Sequence, residues 1–358
     1  MAAAAAIGLL VRVSDGIGER MKTGAGAGRT LGLTLLMSAC VAVAACGGPV
    51  ASRPGPGTTG AARAAGSGSA GGPTAGPADA GPGVSTSGVS SAVVLDGPSV
   101  PTPAHPFARY LLTGARSGVR AEVLVRLPAA YFDPAQATRR LPVIETFHGM
   151  PGHAPQWLGR LRLGELLDRQ AAARRTAPAI IVSPDMNYPD QADSECMNSG
   201  RAALETWATQ DVPEWVARTF RARTDRDGWA TIGLSAGGWC AAMAVMLHPD
   251  RFRAAIVLSG YFRPQLSAGS PAVGEAALRR YDLVALARRS PPQVGVWLLT
   301  SPHDAASYPT SVAVSRAPGP LAVTAQVLPG QDHSWVAWAR AEPVALDWLA
   351  RTAPGFAP

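Results

Sequence analysis

The chain has 358 residues, with 32 Lys plus Arg against 25 Asp plus Glu and a formal net charge of +7. The arginines are scattered among acids, with no basic run and no interleaved aromatics, which argues against nucleic-acid binding, where charge is concentrated in a patch. No Phe, Trp or Tyr precedes Phe107; the first hundred residues therefore cannot build an ordinary core, and the rest suits one large α/β domain.

Residues 1–46 read as an export signal. Lys22 and Arg29 precede the uncharged run "LGLTLLMSACVAVAAC", Leu31 to Cys46, with Met21 as a second candidate start. The run is short for a membrane span but suits the apolar region of a signal peptide. Its end, "VAACGG", resembles a bacterial lipobox: Val43, Ala44 and Ala45 leave room for a peptidase groove before Cys46, whose thiol is the expected lipid acceptor. The expectation is an exported protein, anchored to the membrane through Cys46 on its extracellular face or else secreted.

Residues 47–104 read as a tether. From Gly47 to Ser90 all but six of the 44 residues are Gly, Ala, Ser, Pro or Thr, too little apolar surface to offset the entropy of ordering. Of the four cysteines, Cys40 leaves with the signal and Cys46 carries lipid. Cys196 and Cys240 remain; outside the cell such a pair favours a disulfide, two unrelated buried thiols being the alternative.

The folded region, expected over 105–358, alternates strand-like and helix-like runs. "RAEVLVRLP" alternates as a half-exposed strand; "LPVIETF", "PAIIVSP", "GWATIGL", "AAIVLSG", "VGVWLLT" and "LAVTAQVLP" read as buried strands. Helical spacing fills "LRLGELLDRQAAARR", "ALETWATQDVPEWVARTF", "GGWCAAMAVMLH" and "GEAALRRYDLVALARR", and a last helix covers much of "SWVAWARAEPVALDWLA", with Pro343 expected to kink or interrupt it. Such alternation predicts a largely parallel, doubly wound sheet whose working residues collect at the carboxyl ends of its strands.

At one such end stands "IGLSAGGWC". G-x-S-x-G is a weak signal alone, but here a strand precedes it and a helix follows, the setting in which the serine stands on a sharp turn. Gly233 and Gly237 allow the close approach, and Ser235 is the candidate nucleophile. A serine hydroxyl needs a base, and the base an orienting acid. Asp304 follows the next-to-last strand and His333 the last, in the order Ser, acid, His; Asp332 is the rival acid, though adjacency turns it away from His333. After the strand "LPVIETF", the bends at Gly149 and Gly152 can turn amides inward, so the N–H groups of Met150 and Ala236 are the expected oxyanion donors. His148 and His153 could pair on a metal, but no third ligand is evident and no metal or organic cofactor is expected.

"HGMPG", "TQDVPEWV", "GLSAGGWCAAMAVMLHPDRFRAAIVLSGYF" and "GQDHSWVAWARAEPVALDWL" together resemble the α/β-hydrolase esterases related to enterochelin esterase, esterase D and the secreted mycolyltransferases. The resemblance runs from about Phe107 to Ala350. It implies an α/β-hydrolase fold with a mostly parallel sheet of about eight strands, carries Ser235, Asp304 and His333 over as a triad, and makes Asp211 structural. The implied function is a serine esterase acting on a small-molecule or lipid ester. An acyltransferase using the same site with a sugar or lipid alcohol is the alternative, and a retired binding lipoprotein the second. The loop carrying Cys196 departs from the pattern; a Cys196–Cys240 bridge would pin it beside Ser235.

Overall fold

The computed structural model describes residues 88–189, 193–266, 270 and 272–358. The expected signal segment, Cys46 and the tether up to residue 87 lie outside them. The strands are β1 (Ser91–Asp96), β2 (Phe107–Thr113), β3 (Arg120–Arg126), β4 (Val143–Phe147), β5 (Ile180–Pro184), β6 (Trp229–Leu234), β7 (Ala254–Leu258), β8 (Gly295–Thr300) and β9 (Ala322–Val327). The helices are α1 (Gln156–Gly159), α2 (Leu163–Ala172), α3 (Leu204–Thr206), α4 (Val212–Thr219), α5 (Ala236–Leu247), α6 (Glu275–Arg280), α7 (Leu283–Arg289), α8 (Tyr308–Ser315) and α9 (Trp335–Thr352).

The sheet order is β1-β2-β3-β5-β4-β6-β7-β8-β9. β1, β2, β3 and β5 pair antiparallel in that order, and every pairing from β5 to β9 is parallel. Central strands buried on both faces read as continuous apolar runs, and alternate residues serve opposite cores. In β7, Ala255 and Val257 face the core holding Trp239 and Met243 of α5 and Trp215 of α4. Ala254, Ile256 and Leu258 face the core holding Trp338 and Leu346 of α9 and Leu163 of α2. This is the mostly parallel, helix-flanked sheet of an α/β-hydrolase.

The sheet has nine strands rather than about eight. β1 lies inside the segment read as tether, so ordered structure begins before residue 105. Every residue of β1 is exposed, so it carries no alternation to recognise; its order comes from its pairing with β2.

Three helical segments differ from expectation; "GEAALRRYDLVALARR" divides into α6 and α7, Asp282 capping the second. "ALETWATQDVPEWVARTF" forms α3 and α4 joined by a π-helical turn, Trp207–Asp211; Pro213 has no N–H to close a regular turn. That turn holds Asp211, which is buried and accepts from Arg116 N (3.0 Å), Ser117 N (2.9 Å), Ser117 Oγ (2.6 Å) and Ser90 Oγ (3.3 Å). Asp211 therefore clamps the β2–β3 hairpin. α9, by contrast, runs unbroken through Pro343. The hydrogen bond that proline forfeits belongs to the Ala339 carbonyl, on an exposed turn where water can replace it.

Glu342, one residue earlier, is 1 % exposed and its Oε1 has no partner. Burial pushes its carboxyl up to about 8. A raised acid pKa favours folding below the ordinary value of 4.5, and that contribution is lost as pH rises through about 8. Glu342→Gln, which cannot ionise, is expected to gain stability relative to wild type between pH 5 and 9, by on the order of 4 kcal/mol. Urea unfolding at both pH values measures this; an unchanged difference would show that Glu342 is not held neutral.

Candidate active site

Strand β6 ends in a turn that its glycines make possible. A Cβ on Gly233 would collide with the Gly237 carbonyl, and one on Gly237 with the carbonyls of Phe147 and His148. The turn places Ser235 at φ 56°, ψ −126°, a backbone conformation that costs roughly 1–3 kcal/mol for a non-glycine residue. The Ser235 amide is tied to Leu258 O at 2.9 Å, at the end of β7, and α5 starts at the next residue. Ser235 and Ala236 are half-buried at the amino end of a helix whose residues Gly237 to Met246 are buried. The helix dipole there favours negative charge.

Asp304 follows β8, and His333 lies between β9 and α9. His333 Nδ1 donates to Asp304 Oδ2 at 2.9 Å, which leaves Nε2 as the ring nitrogen able to accept a proton. Asp304 is 6 % exposed. Ser307 Oγ also donates to Oδ2, at 2.7 Å, and Ser307 N to Oδ1, at 3.3 Å. Burial pushes this carboxyl up, but the hydrogen bonds from His333 and Ser307 outweigh it and hold the pKa below the usual range. The His333 ring stands edge-on to Trp338, centroids 5.1 Å apart, and Trp338 Nε1 donates to Ser259 Oγ at 3.0 Å, just beyond β7. The expected residues thus stand on the loops at the carboxyl ends of β6, β8 and β9. The structure joins Asp304 to His333; among the described residues no hydrogen bond joins Ser235 Oγ to His333. Asp332 is exposed and makes no bond to His333.

Beyond β4, His148 is buried, its Nε2 accepting from Met186 N at 3.0 Å and its Nδ1 donating to Gly149 O at 2.9 Å. Both ring nitrogens are therefore engaged. A trans peptide sets its C=O and N–H in opposite directions, so drawing Gly149 O toward His148 turns the Met150 N–H the other way. A Cβ on Gly149 would lie 3.2 Å from Ser235 Cβ, so this loop runs directly beside the serine. The amides of Met150 and Ala236 have no acceptor among the described residues.

A disulfide joins Cys196 to Cys240, Cα atoms 5.6 Å apart, and ties the polar loop after β5 to α5. Sequence reasoning missed three residues here. Ser307 stands three residues after Asp304, a spacing typical of side-chain capping. His148 was read only as a weak metal candidate. Glu195, beside the disulfide, has no local signal at all. His248 serves elsewhere: it bonds Glu205 at 2.7 Å, just past the carboxyl end of α5. A groove lined by Arg139, Arg174 and Thr176 opens at the amino end of β5, away from Ser235.

Residues 115–346 match the model of the Esterase family, described as "Putative esterase". The chain is 31 % identical over 110 residues to the MPT51 antigen of Mycobacterium leprae, covering 31 % of this chain and 36 % of that protein. It is 37 % identical over 83 residues to the diacylglycerol acyltransferase/mycolyltransferase Ag85B of Mycolicibacterium smegmatis, covering 22 % of this chain and 24 % of the other. The matches span about a third or less of the curated relatives' length. Among solved structures, a ferulic acid esterase superposes with a TM-score of 0.56 at 20 % identity, covering 69 % of this chain and 98 % of that one. With the family match spanning most of the chain, on an α/β-hydrolase sheet, the protein belongs to this esterase family.

Proposed function

We propose that the protein hydrolyses carboxylic esters through an acyl-enzyme, with Ser235 as nucleophile, His333 as base and Asp304 as the acid that orients it. The observation carrying this reading is the Asp304–His333 hydrogen bond, at 2.9 Å, at the same end of the sheet as a serine held at positive φ at the head of α5. Ser235 Oγ attacks the ester carbonyl and passes its proton to His333 Nε2. Asp304 stabilises the imidazolium, and the amides of Met150 and Ala236 bond the developing oxyanion. The C–O bond to the alcohol breaks and His333 returns the proton to it. Water, deprotonated by His333, then attacks the acyl-enzyme and frees Ser235.

Incubation with a fluorophosphonate probe tests this, with peptide mass spectrometry locating the adduct. A single adduct on Ser235, absent in Ser235→Ala, is expected. An unlabelled but folded protein would remove the nucleophile from the reading.

A second reading keeps the site and changes the acceptor. It is favoured by the similarity to Ag85B, whose name describes an acyltransferase. A sugar or lipid alcohol would then intercept the acyl-enzyme, and product analysis with a polyol added separates transfer from hydrolysis. The same proposal places the enzyme outside the cell on a lipid-bearing Cys46, supported by the run from Leu31 and the small residues Ala44 and Ala45 before the thiol. Incorporation of an alkyne-tagged fatty acid, lost in Cys46→Ala, is the expected outcome; equal labelling of the two proteins would exclude it.

A further inference from the structure

Arginines that stand scattered along the sequence are gathered by the parallel sheet. "TRRLP" leads into β4, "RRTAP" into β5, "RARTDRDG" into β6, "DRFR" into β7, "ARRSPP" into β8 and "SRAPGP" into β9. These strands lie side by side and run the same way, so whatever precedes them stands at one end of the sheet, opposite Ser235. Helix α9 finishes there too: a Cβ on Gly295, at the start of β8, would lie 2.7 Å from Thr352 Cγ2, which brings Arg351 to the same end. With neighbouring strands about 4.8 Å apart, this row of strand ends is roughly 24 Å long.

Part of the charge is neutralised. Arg175 pairs with Asp347, Arg251 with Glu214, and Arg223 and Arg253 with Asp225 and Asp227. Arg139, Arg174, Arg288 and Arg316 are exposed and pair with no carboxylate among the described residues. The carboxyl ends of α2, α7 and α8 also lie here, and their dipoles offset only about half a charge each. Between Arg139 and Arg174 opens a groove of about 640 Å³, walled by Ala129, Ala171 and Pro178. That volume falls within the roughly 300–1,000 Å³ of ligand pockets. Asp168 lines it as well, but its carboxylate is taken by Arg126.

We infer that this face docks on a membrane surface of anionic phospholipids, its arginines meeting the phosphates and the groove taking one headgroup with its glycerol. A guanidinium presents paired donors that match a phosphate. A broad face with arginines at every strand end suits a plane of headgroups, whereas nucleic-acid sites concentrate their charge in a patch or stripe. The export signal expected at residues 1–46 also points to a membrane. Docked in this way, the domain turns the Ser235 end of its sheet away from the bilayer, and no step of the proposed reaction enters the docking surface.

Vesicle co-sedimentation tests this with the full chain carrying Cys46→Ala, which removes the expected lipid acceptor. The vesicles are phosphatidylcholine alone, or phosphatidylcholine with about one-third phosphatidylglycerol. Binding to the neutral vesicles reports the apolar run from Leu31, so the face is read from the difference. Each basic residue near an anionic surface strengthens binding roughly fivefold. Binding to the anionic vesicles is expected to be at least about 10-fold tighter, the margin shrinking as salt rises. Replacing Arg139, Arg174, Arg288 and Arg316 together by Gln should remove most of that margin. Replacing Arg160, Arg162, Arg263 and Arg340 by Gln removes the same charge nearer the Ser235 end, on the loops after β4 and β7 and early in α9, and should leave the margin in place. Circular dichroism melting reports the fold of each variant; the pairs Arg139 with Arg174 and Arg288 with Arg316 repeat the test should the fourfold variant melt early. No margin in the parent protein, or equal losses in the two fourfold variants, would overturn the inference. So would a DNA duplex bound through the same four arginines as tightly as the anionic vesicles, since the face would then serve any polyanion.

Discussion

Ser235→Ala is expected to lower kcat on 4-nitrophenyl esters by about five to six orders of magnitude, the loss typical of deleting a serine nucleophile whose partners act as a unit with it. The residual rate would come from the oxyanion amides and substrate binding alone. The substitution removes one oxygen that makes no hydrogen bond among the described residues, and the Ser235 N to Leu258 O bond does not involve the side chain. The variant should therefore fold as wild type does and melt within a few degrees of it. Steady-state kinetics with circular dichroism on the same sample measures both. A loss of less than tenfold in a folded variant would show that another residue bears the acyl group.

Asp304→Asn is expected to cost about 10³–10⁴ in kcat, with a smaller change in KM. Both carboxylate oxygens accept: Oδ2 from His333 and Ser307 Oγ, Oδ1 from Ser307 N. Whichever way an amide is placed, its NH₂ faces a donor. One orientation pairs NH₂ with His333 Nδ1 and favours the tautomer that protonates Nε2, disabling the base. The other sets NH₂ against Ser307 N and strains the loop. The Asp304 pKa is depressed, so its contribution to stability is present above the ordinary carboxylate value and disappears as pH falls through the depressed one. The Asn variant should therefore also flatten the acid limb of the stability profile. Full activity in Asp304→Asn would transfer the orienting role to another group.

Much of the fold was legible because the central strands are buried on both faces. "VIETF", "IIVSP", "AAIVL" and "GVWLLT" are apolar runs of strand length, and every residue in them is buried. The glycines around Ser235 were legible for a related reason: a turn this tight excludes side chains, and Gly233 and Gly237 stand where a Cβ would meet main chain. Edge strands have no such signature. β1 is exposed throughout, and β9, expected from "LAVTAQVLP" to be buried, is mostly exposed because it closes the sheet with β8 as its one neighbour; what orders them is a neighbouring strand, and local sequence does not encode a neighbour. The unbroken course of α9 through Pro343 escaped for the same kind of reason, since it depends on which side of the helix meets water.

By itself, then, the sequence determined the strand–helix alternation, the glycine-lined turn at Ser235, and the loops after β8 and β9 where an acid and a base would have to stand. Each follows from local sterics or from apolar periodicity. Tertiary structure alone decided the rest. It paired Cys196 with Cys240 across a separation of 44 residues. It brought Ser307 and His333 onto one carboxylate oxygen of Asp304, and it set His148 behind the Gly149–Met150 peptide. It also buried Glu195, whose main-chain carbonyl accepts from Trp239 Nε1 and whose carboxyl accepts from Tyr261 Oη. Apart from Ser307–Asp304 and His148–Gly149, these contacts join residues far apart in the chain, and the free energy of all of them depends on burial and direction, which exist only once the sheet has formed.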